Sequence, residues 1–273
     1  MNFSTEVRDA LQQNVPLNIL PLELVSDHLP IVNTVTINGV ILNIVSWNIM
    51  AGGVEHTSFV RNNPWSNSLK TLQIESIQYY LIKLLECGSI DFLLLQEYGG
   101  NNNWKNYLAP RKLFGSIDNF RNSPWTRFDN EGGQWGRFGL ITYYKRIHEG
   151  YITHNKERRP PFISKTINSE HPLAITFETP DVKILILNIH FEKSYGTTNL
   201  KLNVAASIDK HFGWRDKKPS AVVISGDSNF HASFRTEYPR LLRSYIIHET
   251  SNAANQDHLV KTVVITKGLN RDS

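Results

Sequence analysis

The sequence predicts an α/β protein, and three observations lead there. Short apolar runs rich in β-branched residues recur along the chain, as in Ile31 to Ile37 and Ala221 to Ile224. Between two such runs lies a long segment whose leucines and isoleucines repeat at helical spacing. The apolar runs end in polar residues, as strands of a layered fold do where loops gather to form sites. The 273 residues are 40% hydrophobic, enough for one large domain or two small ones. No repeat of solenoid period and no low-complexity tract interrupts them.

Residues 1–25 form an expected N-terminal arm. A short helix over Thr5 to Gln13 sets Val7, Ala10 and Leu11 on one side, and Pro16 and Pro21 keep the helix from continuing toward residue 25. Ile31 to Ile37 and Val40 to Val45 read as two strands. Asn38-Gly39 between them tolerates the positive φ of a two-residue hairpin turn. That hairpin carries Asp27-His28 and Asn48 to the same end of a sheet. After the loop at Ala51-Gly52-Gly53, a helix runs from about Ser66 to Cys87, and Gly88 is a suitable stop. Phe92 to Leu95 is a buried strand ending in Gln96-Glu97.

The span Asn101 to Phe138 reads as loop-rich. Trp104, Phe120, Trp125, Phe128, Trp135 and Phe138 alternate there with Arg121, Arg127 and Arg137. Aromatic rings that stack and arginines that meet phosphates suit a nucleic-acid groove. The plainer reading is a long loop packing itself down with its own rings. From this span Arg121, Trp125, Arg127, Trp135 and Arg137 are the candidate substrate-binding residues.

Phe138 to Tyr144 reads as a strand, and Leu173 to Phe177 with Val182 to Leu187 as a second hairpin around Thr179-Pro180-Asp181. The latter strand runs into Asn188-Ile189-His190. A second amphipathic helix is expected over about Thr198 to Phe212, with Gly213 as its stop. Ala221 to Ile224 is a buried strand leading to Ser225-Gly226-Asp227-Ser228-Asn229, followed by a short helix over Phe234 to Arg243. Asp257-His258 then precedes a last strand over Thr262 to Thr266. His56, His148, His231 and His248 show no ligand spacing and read as surface residues, and there is no Cys/His zinc pattern.

The net charge of +4 and a pI near 9.0 are a mild basic excess, compatible with an anionic substrate. Cys87 is the single cysteine, so no intrachain disulfide forms and the chain suits a reducing compartment. The N-terminal residues lack the basic and apolar regions of a signal peptide. The expected location is the cytoplasm, or outside the cell by a route without a cleaved signal.

Trp47-Asn48-Ile49, Leu94-Leu95-Gln96-Glu97, Asn188-Ile189-His190, Gly226-Asp227-Ser228-Asn229, Asp257-His258-Leu259 and Ser26-Asp27-His28-Leu29-Pro30 together resemble the motifs of the endonuclease/exonuclease/phosphatase superfamily. The resemblance implies a four-layered α/β sandwich, two packed mixed β-sheets flanked by helices, over a single domain of residues 26–273. In that family the Ser-Asp-His-x-Pro segment closes the chain, whereas here it opens it, so the sequence resembles a circular permutant. In the family's sandwich the last strand lies antiparallel to the first, and Asn38-Gly39 joins them by a hairpin turn. The new termini would then lie on one side of the fold. The competing reading keeps ordinary order and treats Asp257-His258 as the terminal motif.

The resemblance implies a metal-dependent phosphoesterase. Glu97 resembles the principal metal-binding carboxylate, with Asn48 and Asp27 beside it; Mg²⁺, or Mn²⁺, is the implied ion. Asp227 and Asn229 would orient the attacking water and hold the phosphate. His28, oriented by Asp257, would be the acid/base group, and His190 would donate to the charge building on phosphate. Each residue also has a plain reading: Asn48 and Asn229 as turn formers, His190 as a core imidazole, Glu97 as a strand-end cap. The favoured substrate is nucleic acid, hydrolysed by a monomeric nuclease or related phosphodiesterase. The alternatives are a phosphoinositide phosphatase or sphingomyelinase-like enzyme acting on a phosphorylated lipid or small phosphoester, and an inactive binding protein on the same fold.

Overall fold

The computed structural model describes residues 3–26, 28–49, 66–98, 108–129, 139–154, 173–190, 220–227, 245–251 and 260–267. Two mixed sheets face each other. In the first, β1 (Ile31–Ile37), β2 (Val40–Asn48), β3 (Phe92–Gln96), β5 (Ile141–Lys145) and β4 (Trp125–Asp129) run in the spatial order β1-β2-β3-β5-β4. The second holds β6 (Ile152–His154), β7 (Leu173–Glu178), β8 (Lys183–His190), β9 (Ala221–Asp227), β10 (Tyr245–Ser251) and β11 (Val260–Lys267), in the order β10-β11-β9-β8-β7-β6.

The expected first hairpin forms. β1 and β2 are antiparallel with Ile37 opposite Val40, and Asn38 (φ 49°) and Gly39 (φ 82°) make the turn. β2 and β3 are parallel, joined by the helix Ser66–Glu86, and β8 and β9 are parallel as well. Parallel pairing of β2 with β3 sets the ends of both strands on one edge, and the antiparallel β1 starts there.

β3 is apolar throughout because both its faces are covered. Phe92 and Leu94 join Leu42 and Ile44 of β2 against Ile184, Ile186 and Val223 of the second sheet. Leu93 and Leu95 point the other way, with Val45 and Trp47, onto a helical layer. That layer contains α1 (Phe3–Gln12), α2 (Leu22–Val25) and α3 (Ser66–Glu86). Val7, Leu11 and Val25 are buried in it, so the N-terminal arm is part of the core. The Gln73 amide donates to Val25 O at 2.6 Å and the Tyr80 hydroxyl to Leu20 O at 2.9 Å, which ties the arm to α3. The described layers are therefore helices, sheet, sheet. The helices expected over Thr198 to Phe212 and Phe234 to Arg243 lie outside the described residues.

The span Asn101 to Phe138 departs from its reading as loop. Its described part contains α4 (Pro110–Leu113), α5 (Ile117–Asn122) and the edge strand β4. Ser116 caps α5 by accepting from Asn119 N. The strand expected over Phe138 to Tyr144 is described from Ile141; Phe138 lies outside the described residues, and Gly139 O accepts from Tyr98 N–H at 2.9 Å.

Three substrate-binding candidates from this span are corrected or narrowed. Trp125 is 1% exposed, and its indole N–H donates to Leu85 O at 2.7 Å, so the ring packs the sheet onto α3 and cannot stack on a base. Arg127 is paired with Asp129 at 2.6 Å and lies over the Tyr98 ring, so its charge is already met inside the protein. Arg121 is exposed on α5 and sits 3.4 Å from Asp118. Trp135 and Arg137 lie outside the described residues. Trp125→Ala is expected to cost about 3–5 kcal/mol of unfolding free energy, measured by urea denaturation, a loss that a surface stacking ring would not produce.

His148 is also corrected. It is half-buried, its Nε2 lies 3.0 Å from Asp91 Oδ1, and its ring stacks on Phe92 at 5.8 Å and meets Phe177 edge-on. It bridges the two sheets at the end where β3 begins, far along the strand from Glu97.

Candidate active site

Four strand ends meet on one edge of the sandwich. Asn48 ends β2, Gln96 ends β3 with Glu97 just beyond, His190 ends β8, and Asp227 ends β9. Asn48 is opposite Gln96 in one parallel pair, and His190 is opposite Asp227 in the other. His28 precedes β1 and arrives at the same edge because β1 is antiparallel to β2. Its segment is pinned there: Trp47 Nε1 donates to His28 O at 2.9 Å, the Ser26 hydroxyl to Asn48 O at 2.8 Å, and His28 N–H to Ser26 Oγ at 3.2 Å.

The side chains close into a cluster. The Asn48 amide nitrogen donates to Glu97 Oε1 and to Asp227 Oδ2, both at 3.0 Å. His190 Nε2 lies 3.1 Å from Glu97 Oε1 and 3.7 Å from Asp227 Oδ2. His28 Nε2 is 3.4 Å from Asp227 Oδ2. Asn48, His190, His28 and Asp227 are all at most 5% exposed, so the group is a buried ionic network rather than a set of solvated turn residues.

Beneath it lies an amide latch between the sheets. Gln96 Nε2 donates to Asn188 Oδ1 at 2.7 Å, and Asn188 Nδ2 donates to Leu95 O at 3.1 Å and Ile141 O at 3.0 Å. Gln96 and Asn188 each adjoin or nearly adjoin a cluster residue, so the latch sets the distance between Glu97 and His190. The sequence contains both residues within its motifs, but their neutral amides carried no separate chemical signal. Gly226 is a third quiet contributor: its φ is +144°, and a Cβ there would lie 1.9 Å from Ile189 O. Only glycine lets β9 reach β8 this closely just before Asp227.

Glu97, His190 and Asp227 offer ligand atoms within 4.8 Å of one another and could hold a metal ion. Two carboxylates converging in a buried place suit a hard divalent cation, whose charge would offset theirs. Asn48 turns its amide nitrogen toward both carboxylates and so aligns the two acids. Asp27, Asn229 and Asp257 lie outside the described residues.

Burial pushes the Glu97 carboxyl up, but the hydrogen bond and charge of His190, the Asn48 amide and the charge of His28 outweigh it and hold Glu97 below the usual carboxylate range. A carboxylate depressed in the fold contributes stability that is present above its unfolded value, near about 4.3, and lost as pH falls through the folded value. In chelator, Glu97→Gln is therefore expected to flatten the loss of stability below about pH 4.3. Parallel acid limbs for variant and parent in pH-dependent urea melts would count against this ion pair.

No protein-family model and no curated protein matches the sequence. Solved structures similar to this one include a humanized D. rerio TDP2 carrying 14 mutations, at 14% identity over 84% of each chain and TM-score 0.49. An endonuclease/exonuclease/phosphatase family protein from Leptotrichia buccalis C-1013-b is similar at 12% identity, over 84% of this chain and 89% of that one, with TM-score 0.47. ANGEL2, a 2',3'-cyclic phosphatase, is similar at 13% identity over 67% of this chain and 51% of its own, with TM-score 0.44.

Proposed function

We propose that this chain is a divalent-metal-dependent phosphoesterase of the endonuclease/exonuclease/phosphatase superfamily, and within it a nuclease or related phosphodiesterase. The observation that carries the reading is the buried meeting of His28, Asn48, Glu97, His190 and Asp227 at one sandwich edge, with both imidazoles within reach of the Asp227 carboxylate. Phosphate ester hydrolysis needs an aligned water, a proton path and cationic groups around the phosphoryl oxygens.

Glu97 and Asp227 would hold the metal with Asn48 keeping them in register, and the motif resemblance adds Asp27. When bound, a divalent cation supplies charge neutralisation at the phosphate. Asp227 accepts a hydrogen bond from the attacking water and keeps the water's lone pair aimed at phosphorus, a task that the motif resemblance would share with Asn229. His28 Nε2, beside Asp227, exchanges the proton, and the motif resemblance makes Asp257 the carboxylate that would orient the ring. His190 donates from Nε2 to a phosphoryl oxygen when substrate displaces it from Glu97.

A circularly permuted chain accounts for His28 acting from the N-terminal end. The β1–β2 hairpin supports this, since it delivers Ser26 and His28 to Asn48. The preference for nucleic acid rests on the net charge of +4 and the pI near 9.0. A Mg²⁺-dependent hydrolysis panel tests the whole reading, with plasmid DNA, RNA, phosphoinositides and sphingomyelin as substrates. Turnover of DNA or RNA with binding that falls steeply with salt is the expected result. Turnover of lipid alone would replace the nuclease by a lipid phosphoesterase, and binding without any turnover would make the chain a binding protein.

A further inference from the structure

Glu97 occupies a left-handed backbone conformation, φ +55°, which residues with a Cβ rarely adopt. Such a residue persists only where its surroundings leave it no alternative. On its N-terminal side Gln96 is fastened by the ladder, by Ile49 N–H donating to Gln96 O at 3.1 Å, and by the latch to Asn188. On its C-terminal side the next residue is Tyr98.

Tyr98 is 4% exposed and is held at three points. Its N–H donates to Gly139 O at 2.9 Å, its hydroxyl donates to Leu108 O, and its ring lies under the Arg127 guanidinium at 5.2 Å. Arg127 is in turn locked to Asp129 at 2.6 Å. Both belong to edge strand β4, and Asp129 pairs with Ile141 of β5, two residues after Gly139. Gly139 itself has no room for a side chain, since a Cβ would meet Tyr98 O at 2.4 Å. The grip on Tyr98 therefore comes at once from strand β4 and from the segment that leads into β5.

We propose that Tyr98, clamped by the Arg127–Asp129 pair and by Gly139, is the positioning residue that keeps Glu97 left-handed and so aims its carboxylate into the cluster. The inference rests on the reading of Glu97 as a metal-binding carboxylate. If Tyr98 loosens, φ of Glu97 relaxes toward the extended region and the carboxylate leaves Asn48 and His190. This gives Arg127 a role in the site without contact to phosphate.

Two measurements on the full chain test the clamp. The first needs no metal. Glycine accepts φ above zero and alanine does not, so Glu97→Gly is expected to melt at least about 2 °C above Glu97→Ala. In a Tyr98→Leu background that gap closes. No gap in the parent, or an undiminished gap beside Tyr98→Leu, overturns the proposal. The second follows the rise in melting temperature with Mn²⁺. The midpoint concentration is expected to increase at least tenfold in Tyr98→Leu and in Arg127→Met. It stays put in Tyr80→Leu, which removes a buried tyrosine of the helical layer. Equal midpoints in all three variants overturn it. Should Tyr98→Leu not fold, Arg127→Met carries both measurements. A parent with no Mn²⁺ response would sink the metal reading of Glu97, while the Gly/Ala comparison still decides whether Tyr98 holds the backbone.

Discussion

Glu97→Gln is expected to lower Mg²⁺-dependent hydrolysis by about 10³-fold or more, in line with losing a principal electrostatic contact in a preorganised site. The substitution keeps the shape and removes the charge. Asn48 and His190 both face Glu97 Oε1, at 3.0 Å and 3.1 Å, and an amide can still bond to one of them. The fold should therefore survive, and the loss should lie in the metal-dependent step. Steady-state rates against Mg²⁺ concentration check it. A variant that hydrolyses at the parental rate, at the parental metal concentration, would remove Glu97 from the mechanism. Circular dichroism of the same preparation shows whether a loss reflects unfolding.

The second large effect separates the two histidines of the competing chain orders. His28→Ala is expected to reduce turnover by about 10²–10⁴-fold, the range for a positioned acid/base group. Its Nε2 sits 3.4 Å from Asp227 Oδ2 in a place 5% exposed, so no solvent molecule replaces it easily. His258→Ala is expected to change turnover only a few-fold. The opposite outcome, a dead His258→Ala beside an active His28→Ala, would return the chain to ordinary motif order and end the permutation. A pH–rate profile adds a further check: the limb attributed to the acid/base group should vanish in His28→Ala and remain in His258→Ala.

Much of the fold could be read along the chain. The β1–β2 hairpin followed from β-branched runs around Asn38-Gly39, because a two-residue turn needs positive φ and that pair accepts it. The helix Ser66–Glu86 and the strand Phe92–Gln96 followed from periodicity and from an uninterrupted apolar run. Less regular pieces were not legible. β4 contains Trp125, Arg127 and Asp129 on an edge with mixed burial, so it has no alternating pattern to mark it as a strand. Its rings and arginines suggested a groove for an outside partner, and the partners turned out to be Leu85, Tyr98 and Asp129 of the same chain.

The candidate site divides in the same way. Residue chemistry and position at strand ends are local properties, so Asn48, Glu97, His190 and Asp227 could be picked out before any fold was known. Their company is not local. Asn48 and Asp227 are 179 positions apart and share a 3.0 Å hydrogen bond, a contact that exists only because two parallel strand pairs stop at one edge. The backbone twist at Glu97, the amide latch of Gln96 with Asn188 and the service of Tyr98 and Gly139 were decided by packing alone. A linear pattern records which groups are available and where each strand stops. Distances between sheets depend on side-chain volume and on hydrogen bonds formed across the core, and no segment carries that information by itself.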